Sequence, residues 1–162
     1  MAVGLALTDM ITHLMKKSAK LKWPNDLFLN NRKLGGILTE CHIQDQMVCV
    51  VGIGLNINQQ KFKAPLATSM SLLSDKTFDL NEVLAMTLKC LEARYLQLRA
   101  GMYTQIEAAY KSNLYGLGEK RMFEAEKLFV GVIRDVNQAG QLIVEVSDQL
   151  KAFHTKEIRM II

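Results

Sequence analysis

Leu5, Met10, Ile11, Leu14 and Met15 recur at helical spacing while Thr8 and Asp9 fall on a polar face, which predicts an amphipathic helix over residues 3–18. The period then changes. Lys20 to Trp23 reads as a strand halted at Pro24, which cannot donate to a ladder and pushes Trp23 toward an extended conformation. Asn25 and Asp26 are turn formers, Leu27-Phe28-Leu29 is a short strand, and Asn30-Asn31 suits the positive φ values of a tight hairpin. Arg32 to Ile43 returns as a strand, Gln44-Asp45-Gln46 turns, and Met47 to Ile57 is a further strand rich in valine and isoleucine. Consecutive strands with short turns predict an antiparallel meander backed by helices on one face.

Residues 59–78 form a polar loop containing Pro65, with a short helical turn at Ser69 to Leu73; its length suits a binding loop or a connector. Asp79 then caps a helix to Arg99, with Glu82 placed to reach back. Val83, Leu84, Met86, Leu88, Leu91, Tyr95 and Leu98 give that helix an apolar stripe expected to be core. Gly101 ends it, and a second helix spans Tyr103 to Leu114. Tyr115-Gly116-Leu117-Gly118 reads as a hinge, beyond which short strands take over: Lys120 to Ala125, Leu128 to Asp135, Gln141 to Val146, Leu150 to Thr155 and Ile158 to Ile162. Asn137-Gln138-Ala139-Gly140 is a hairpin signal, and the set suggests a small barrel of the SH3 type. His154 stands alone and reads as a surface or satisfied core histidine.

With 162 residues, the chain has room for one domain and an appendage. The 49% hydrophobic and 22% charged fractions argue against disorder. The net charge of +4 comes from scattered basic residues, clustered only at Lys16-Lys17 and Lys20-Lys22, so nucleic-acid binding finds no support. Cys41, Cys49 and Cys90 lack metal-ligand spacing and sit in apolar patterns, which reads as buried free thiols in a reducing cytosol. No apolar stretch approaches the ~20 residues of a membrane span. The first seven residues lack the basic leader of a signal peptide.

The chemistry concentrates in two places. Lys22-Trp23-Pro24-Asn25-Asp26, followed by Lys33-Leu34-Gly35-Gly36-Ile37-Leu38, puts an acid, an amide, a cation and two glycines on neighbouring strands. Gly52-Ile53-Gly54-Leu55-Asn56-Ile57-Asn58 thins the next strand. Taken alone, those glycines could make room for an aromatic such as Trp23; beside Gly35-Gly36, a flat, backbone-lined ligand pocket is the better reading. They are not a dinucleotide fingerprint, because the third glycine is absent and a polar loop follows.

These three blocks, with Arg32 and Glu40 and the small C-terminal barrel, resemble biotin protein ligases over essentially the whole chain. The resemblance implies an α+β fold of the class II aminoacyl-tRNA synthetase and biotin ligase kind: a mixed, largely antiparallel sheet backed by helices. Residues 1–116 would be a partial catalytic domain and 117–162 an SH3-like β-barrel. The implied reaction joins biotin and ATP into biotinyl-5′-adenylate with release of pyrophosphate, then transfers biotin to a carrier lysine. The first step brings a carboxylate to an α-phosphate, so a fixed cation and a metal must share the charge. By resemblance, Lys33 is that cation. Asp26, aided by Asn25, holds Mg²⁺ or positions phosphates and helps the attacking lysine lose its proton. Gly35, Gly36 and Gly54 line the biotin and adenylate pocket, Leu38 packs on biotin, and Asn56 bonds the adenine side. The implied partner is the biotin carboxyl carrier domain of acetyl-CoA carboxylase, and the implied location is cytoplasmic.

Two family features have no counterpart. No Gly-Arg-Gly-Arg segment occurs anywhere, and no polar residues that would seat the ureido ring precede the lysine–tryptophan block. The helix-turn-helix DNA-binding domain of repressor-type members is also absent. The chain opens inside a helix with nothing before it to cover the apolar stripe, so about half of the expected active site is present, as in a fragment, a mis-started product or a degenerate homologue. A binding-only protein and a lipoate-ligase-like transferase are the alternatives, the latter opposed by the Lys22–Asp26 block and the barrel. An exposed sheet edge, or the uncovered first helix, offers a surface for homodimerisation.

Overall fold

The computed structural model describes residues 1–43 and 47–162. The Gln44-Asp45-Gln46 turn lies outside the described residues. The elements run α1 (Ala2–Met15), β1 (Lys20–Lys22), β2 (Asp26–Leu29), β3 (Arg32–Ile43), β4 (Met47–Leu55), α2 (Met70–Ser74), α3 (Leu80–Arg99), α4 (Tyr103–Ser112), β5 (Lys120–Glu124), β6 (Leu128–Val136), β7 (Leu142–Val146), β8 (Gln149–Phe153) and β9 (Arg159–Met160). This is an α+β fold with two antiparallel sheets, ordered β1-β2-β3-β4 and β8-β7-β6-β5-β9.

Alternation sets the first sheet's two faces. Leu21, Leu27, Leu29 and Leu34 are buried, while Lys20, Lys22, Asp26 and Phe28 pair across β1 and β2 on the opposite face. The β2–β3 turn uses Asn30 and Asn31 at φ 50° and 59°, the left-handed values that asparagine tolerates. Ser69 caps α2 by accepting from the Leu72 N–H, and Asp79 caps α3 by accepting from the Asn81 N–H at 2.7 Å. Among the hydrogen bonds of the described residues, none runs back from the Glu82 side chain to that cap.

Three expectations are corrected. First, α1 is not uncovered: Leu5, Ala6, Leu7, Met10 and Ile11 are at most 1% exposed, because α1 packs on α3, α4, β1 and β2. Second, the α3 stripe is only partly core. Val83 and Cys90 are buried, but Leu84, Leu88, Tyr95 and Leu98 are exposed; α1 and α4 cover one edge of α3 and leave the other open. Third, Cys41 and Cys49 are not buried free thiols. The β3–β4 register sets them opposite each other, they form a disulfide, and both are exposed. Their apolar alternation suggested burial, but this end of the hairpin carries exposed Leu38, Val48, Val50 and Val51, and a cleft of about 920 Å³ lies between it and the helices. Cys90 is buried and free.

The two sheets share one buried cluster, running from Leu5 and Leu27 through Leu114 to Phe123 and Val144. The glycine-rich turn between them has Gly116 and Gly118 at φ 75° and is bonded on both sides. The Tyr115 N–H donates to Leu21 O at 2.9 Å and the Gly118 N–H to Ile133 O at 2.9 Å. Buried Trp23 donates its indole N–H to Gly140 O at 2.9 Å, so the tip of the β6–β7 hairpin holds the segment entering β2. No helix is long and apolar enough to cross a membrane among the described residues.

Candidate functional site

Lys33 and Gly36 are three residues apart, so in a regular strand they would point to opposite faces. Here they do not. Asp26 faces Gly36 and Leu27 faces Gly35, but Phe28 faces Lys33, and the register shift leaves Leu34 as an extra, buried residue. That bulge re-phases β3 and brings the Lys33 side chain onto the face of Asp26 and Gly36. Lys33 Nζ lies 2.5 Å from Asp26 Oδ1, with the two side chains 45% and 21% exposed. An ion pair this open contributes at most about 1 kcal/mol to folding, so stability alone gives little reason for it.

The backbone of Lys33 is clamped as well. Its N–H donates to Leu66 O at 2.8 Å, and the Thr68 N–H donates to Lys33 O at 2.9 Å. The loop after β4 thus acts as a splint on the lysine strand. Asn56 donates from Nδ2 to Thr68 O at 3.0 Å. Asn58 exchanges two bonds with the Phe78 backbone, Nδ2 to O at 2.8 Å and Oδ1 from N–H at 3.0 Å.

A groove of about 450 Å³ opens over this face, lined by Asn25, Asp26, Lys33, Gly36, Leu38 and Gly54 among others. Its floor is bare backbone. A Cβ on Gly54 would meet only Gly36 O at 3.9 Å, and one on Gly36 would lie 3.4 Å from Asp26 Oδ1. Trp23 is not within 4 Å of such an atom at Gly52 or Gly54, so the glycines do not make room for that aromatic. Gly35 differs: its Cβ would lie 2.4 Å from Gly54 O, so glycine is needed there to let β3 and β4 approach. Leu38 is 59% exposed over the groove.

Asn25 is bonded twice to β3. Its Nδ2 donates to Ile37 O at 2.7 Å and its backbone O accepts from the Ile37 N–H at 2.8 Å, leaving the side-chain oxygen for a ligand. Of the sequence-chosen residues, the fold therefore brings together Asn25, Asp26, Lys33, Gly36, Leu38 and Gly54. It sets Gly35 and Asn56 in supporting positions instead.

Sequence reasoning overlooked Leu66 and Thr68, whose loop gives no pattern to read, and gave no role to Lys22, although it opens the first block. The signal for Lys22 was present, since it alternates with Lys20 and lies opposite Asp26 in the hairpin. Burial pushes the Lys22 ammonium below the ordinary lysine value, with Asp26 pulling it partly back up and Lys33 and Arg159 pushing down. A larger cleft of about 920 Å³ adjoins the groove, shared by Lys22, Asp26, Leu38, the start of α1 and Tyr110. Burial raises the Tyr110 phenol to about 12.

A carboxylate, a clamped cation and a glycine floor can hold a polyphosphate and a flat, partly apolar ligand side by side. Comparison with known proteins agrees in kind. Residues 1–58 match the biotin/lipoate A/B protein ligase family. The chain is 34% identical over 152 residues to the biotin–[acetyl-CoA-carboxylase] ligase of Mycobacterium tuberculosis, covering 90% of this chain and 56% of the relative. It is 31% identical over 148 residues to the bifunctional ligase/repressor BirA of Bacillus spizizenii, covering 86% and 46%. The chain thus spans about half the length of these relatives. Its fold matches the biotin protein ligase from Aquifex aeolicus in complex with biotin and ATP with a TM-score of 0.81 at 23% identity, over 99% of this chain and 69% of that one. The three sequence blocks, the site they build and these likenesses converge: the chain is similar to the biotin protein ligases in sequence and in fold.

Proposed function

We propose that this chain provides the cation-and-acid wall of a biotin protein ligase, forming biotinyl-5′-adenylate from biotin and ATP and passing biotin to a carrier lysine. The single observation that carries this is the Lys33–Asp26 pair standing over the Gly36–Gly54 floor. In the first step a biotin carboxylate oxygen bonds to the α-phosphorus while the bond to the β-phosphate oxygen breaks, and the electron pair leaves on pyrophosphate. Lys33 sits between the two anions and stabilises the charge that develops there. Gly36 and Gly54 let the ligands lie against backbone, and Leu38 packs on biotin. Gly35 and Asn56 serve indirectly, the one by close strand approach and the other by holding the loop that clamps Lys33. In the second step the carrier lysine attacks the mixed anhydride, and Asp26 helps it lose a proton.

Mg²⁺ fits this donor set only in company with phosphates. Among the described residues no group of three His, Cys, Asp or Glu could hold a metal, but Mg²⁺ commonly takes one or two carboxylates and completes its shell with phosphate and water. The Asp26 carboxylate and the Asn25 side-chain oxygen would hold it. It would neutralise phosphate charge.

The same reading makes residues 1–116 a partial catalytic domain of the class II synthetase kind and 117–162 an SH3-like barrel. It takes the biotin carboxyl carrier domain of acetyl-CoA carboxylase as partner, the cytoplasm as location and the β4 edge as a surface for a homodimer. No DNA-binding role is included. A second reading is a protein that binds biotin, nucleotide or carrier without completing catalysis. Incubation with biotin, ATP, Mg²⁺ and a purified carrier domain, read by mass spectrometry, separates the two. The proposal expects the carrier to gain one biotin; ligand binding with no gain would leave the second reading.

A further inference from the structure

Lys22, Asp26 and Lys33 stand on three successive strands of one face, with the carboxylate in the middle. Lys33 is paired with Asp26; among the described residues Lys22 has no ion pair within 4.0 Å. Its ammonium lies 5.8 Å from the Phe28 ring centroid, and Phe28 in turn packs on Tyr115 at 5.2 Å. Lys22 also lines a cavity of about 120 Å³ with Arg159 and Met160 of the second sheet, and it borders the large cleft. Arg159 is bonded to Glu124, so Lys22 is the cation of this group left to seek an anion.

A half-buried ammonium whose nearest carboxylate, Asp26, is already paired with Lys33 is costly, and burial opposes its charge here. β1 and β3 are two strand spacings apart, roughly 10 Å, a gap that two lysine stems can close onto one chain of phosphates. Resting on the ligase reading above, we infer that Lys22 is a second phosphate-binding cation. It takes the β- and γ-phosphates of ATP and the leaving pyrophosphate, while Lys33 takes the α-phosphate and the biotin carboxylate. The two cations divide the work: one meets the charge gained at the reacting phosphorus, the other the electron pair that departs.

Calorimetric titration of the 162-residue protein with inorganic pyrophosphate tests this. The wild type should bind saturably. Lys22→Met should weaken binding roughly 10-fold or more, as loss of a charge-assisted bond does, and Lys22→Arg should largely restore it. Thermal melts check that the variants are folded. Pyrophosphate binding unchanged by Lys22→Met, or absent from the wild type at millimolar concentration, would overturn the assignment. If pyrophosphate binds through Lys22 but biotinyl-5′-adenylate does not bind, the ligase reading fails and the anion site stands. If the adenylate binds and Lys22→Met leaves pyrophosphate affinity unchanged, the Lys22 assignment alone fails.

Discussion

Alanine at Gly35 should damage the fold, whereas alanine at Gly36 or Gly54 should damage the site. At Gly35 the new Cβ would sit 2.4 Å from Gly54 O, and Leu55 Cα and Cδ1 would each lie at 3.3 Å. The obstacle is backbone of the adjacent strand, so β3 and β4 must separate by much of an ångström where Gly35 pairs with Leu55. Overpacking of this kind costs about 1–3 kcal/mol. For a chain of this size that is roughly 4–10 °C in melting temperature. At Gly36 the nearest atom is Asp26 Oδ1 at 3.4 Å and at Gly54 it is Gly36 O at 3.9 Å, both ordinary contacts. The lower entropy of the unfolded alanine chain offsets part of any cost there, by about 0.4–1 kcal/mol. Both variants should melt within about 2 °C of the wild type but bind biotinyl-5′-adenylate poorly, because each raises a methyl from the groove floor. Differential scanning fluorimetry with calorimetric titration reads both effects. A Gly35→Ala protein that melts like the wild type, or a Gly54→Ala protein that unfolds as early as Gly35→Ala, would refute this division of the glycines.

Three further outcomes follow from the same geometry. The Cys41–Cys49 bond closes a loop with a sequence separation of 8, which in the chain-entropy picture contributes about 2–3 kcal/mol. Dithiothreitol or the double Cys→Ser variant should therefore lower the melting temperature by roughly 5–10 °C, and identical melts with and without reductant would contradict the pairing. Lys22→Met should raise the melting temperature at pH 7. Burial holds the folded-state ammonium below the ordinary 10.5, so wild-type Lys22 carries a charging penalty at neutral pH that fades as pH rises from the lowered folded-state value to 10.5; a gain that persists undiminished above 10.5 would contradict this. Asn56→Ala leaves Thr68 O without its donor and should cost about 1–3 kcal/mol, with adenylate affinity falling as the Lys33 clamp loosens. Unchanged affinity would show that the loop does not position the lysine.

Much of this was legible in the residues. Asn30-Asn31, Pro24 and the valine-rich Met47–Leu55 run placed the meander, and the Asn137–Gly140 signal placed the β6–β7 hairpin, because these are local backbone preferences. Three things were not local. The Leu34 bulge that turns Lys33 onto the Gly36 face is a matter of pairing register, invisible in a strand that otherwise reads as continuous. The loop clamp depends on Leu66 and Thr68 meeting Lys33 from a distant segment. The apolar Leu84, Leu88 and Tyr95 carry a helical period whether or not another element covers them, so periodicity could not separate the covered edge of α3 from its open one. The cysteines failed for a related reason: alternation predicts a buried face, but the end of the hairpin bearing Cys41 and Cys49 stands clear of the helices.

The central claim is that Lys33, Asp26 and the Gly36–Gly54 floor hold the biotinyl-adenylate. Titrating the folded 162-residue protein and its Lys33→Ala variant with biotinyl-5′-adenylate, in a calorimeter, addresses it directly. The account predicts saturable one-to-one binding by the wild type, weakened by roughly 10-fold or more in Lys33→Ala through loss of a charge-assisted contact to the phosphate. No binding by the folded wild type, or equal affinity in the two proteins, would contradict it.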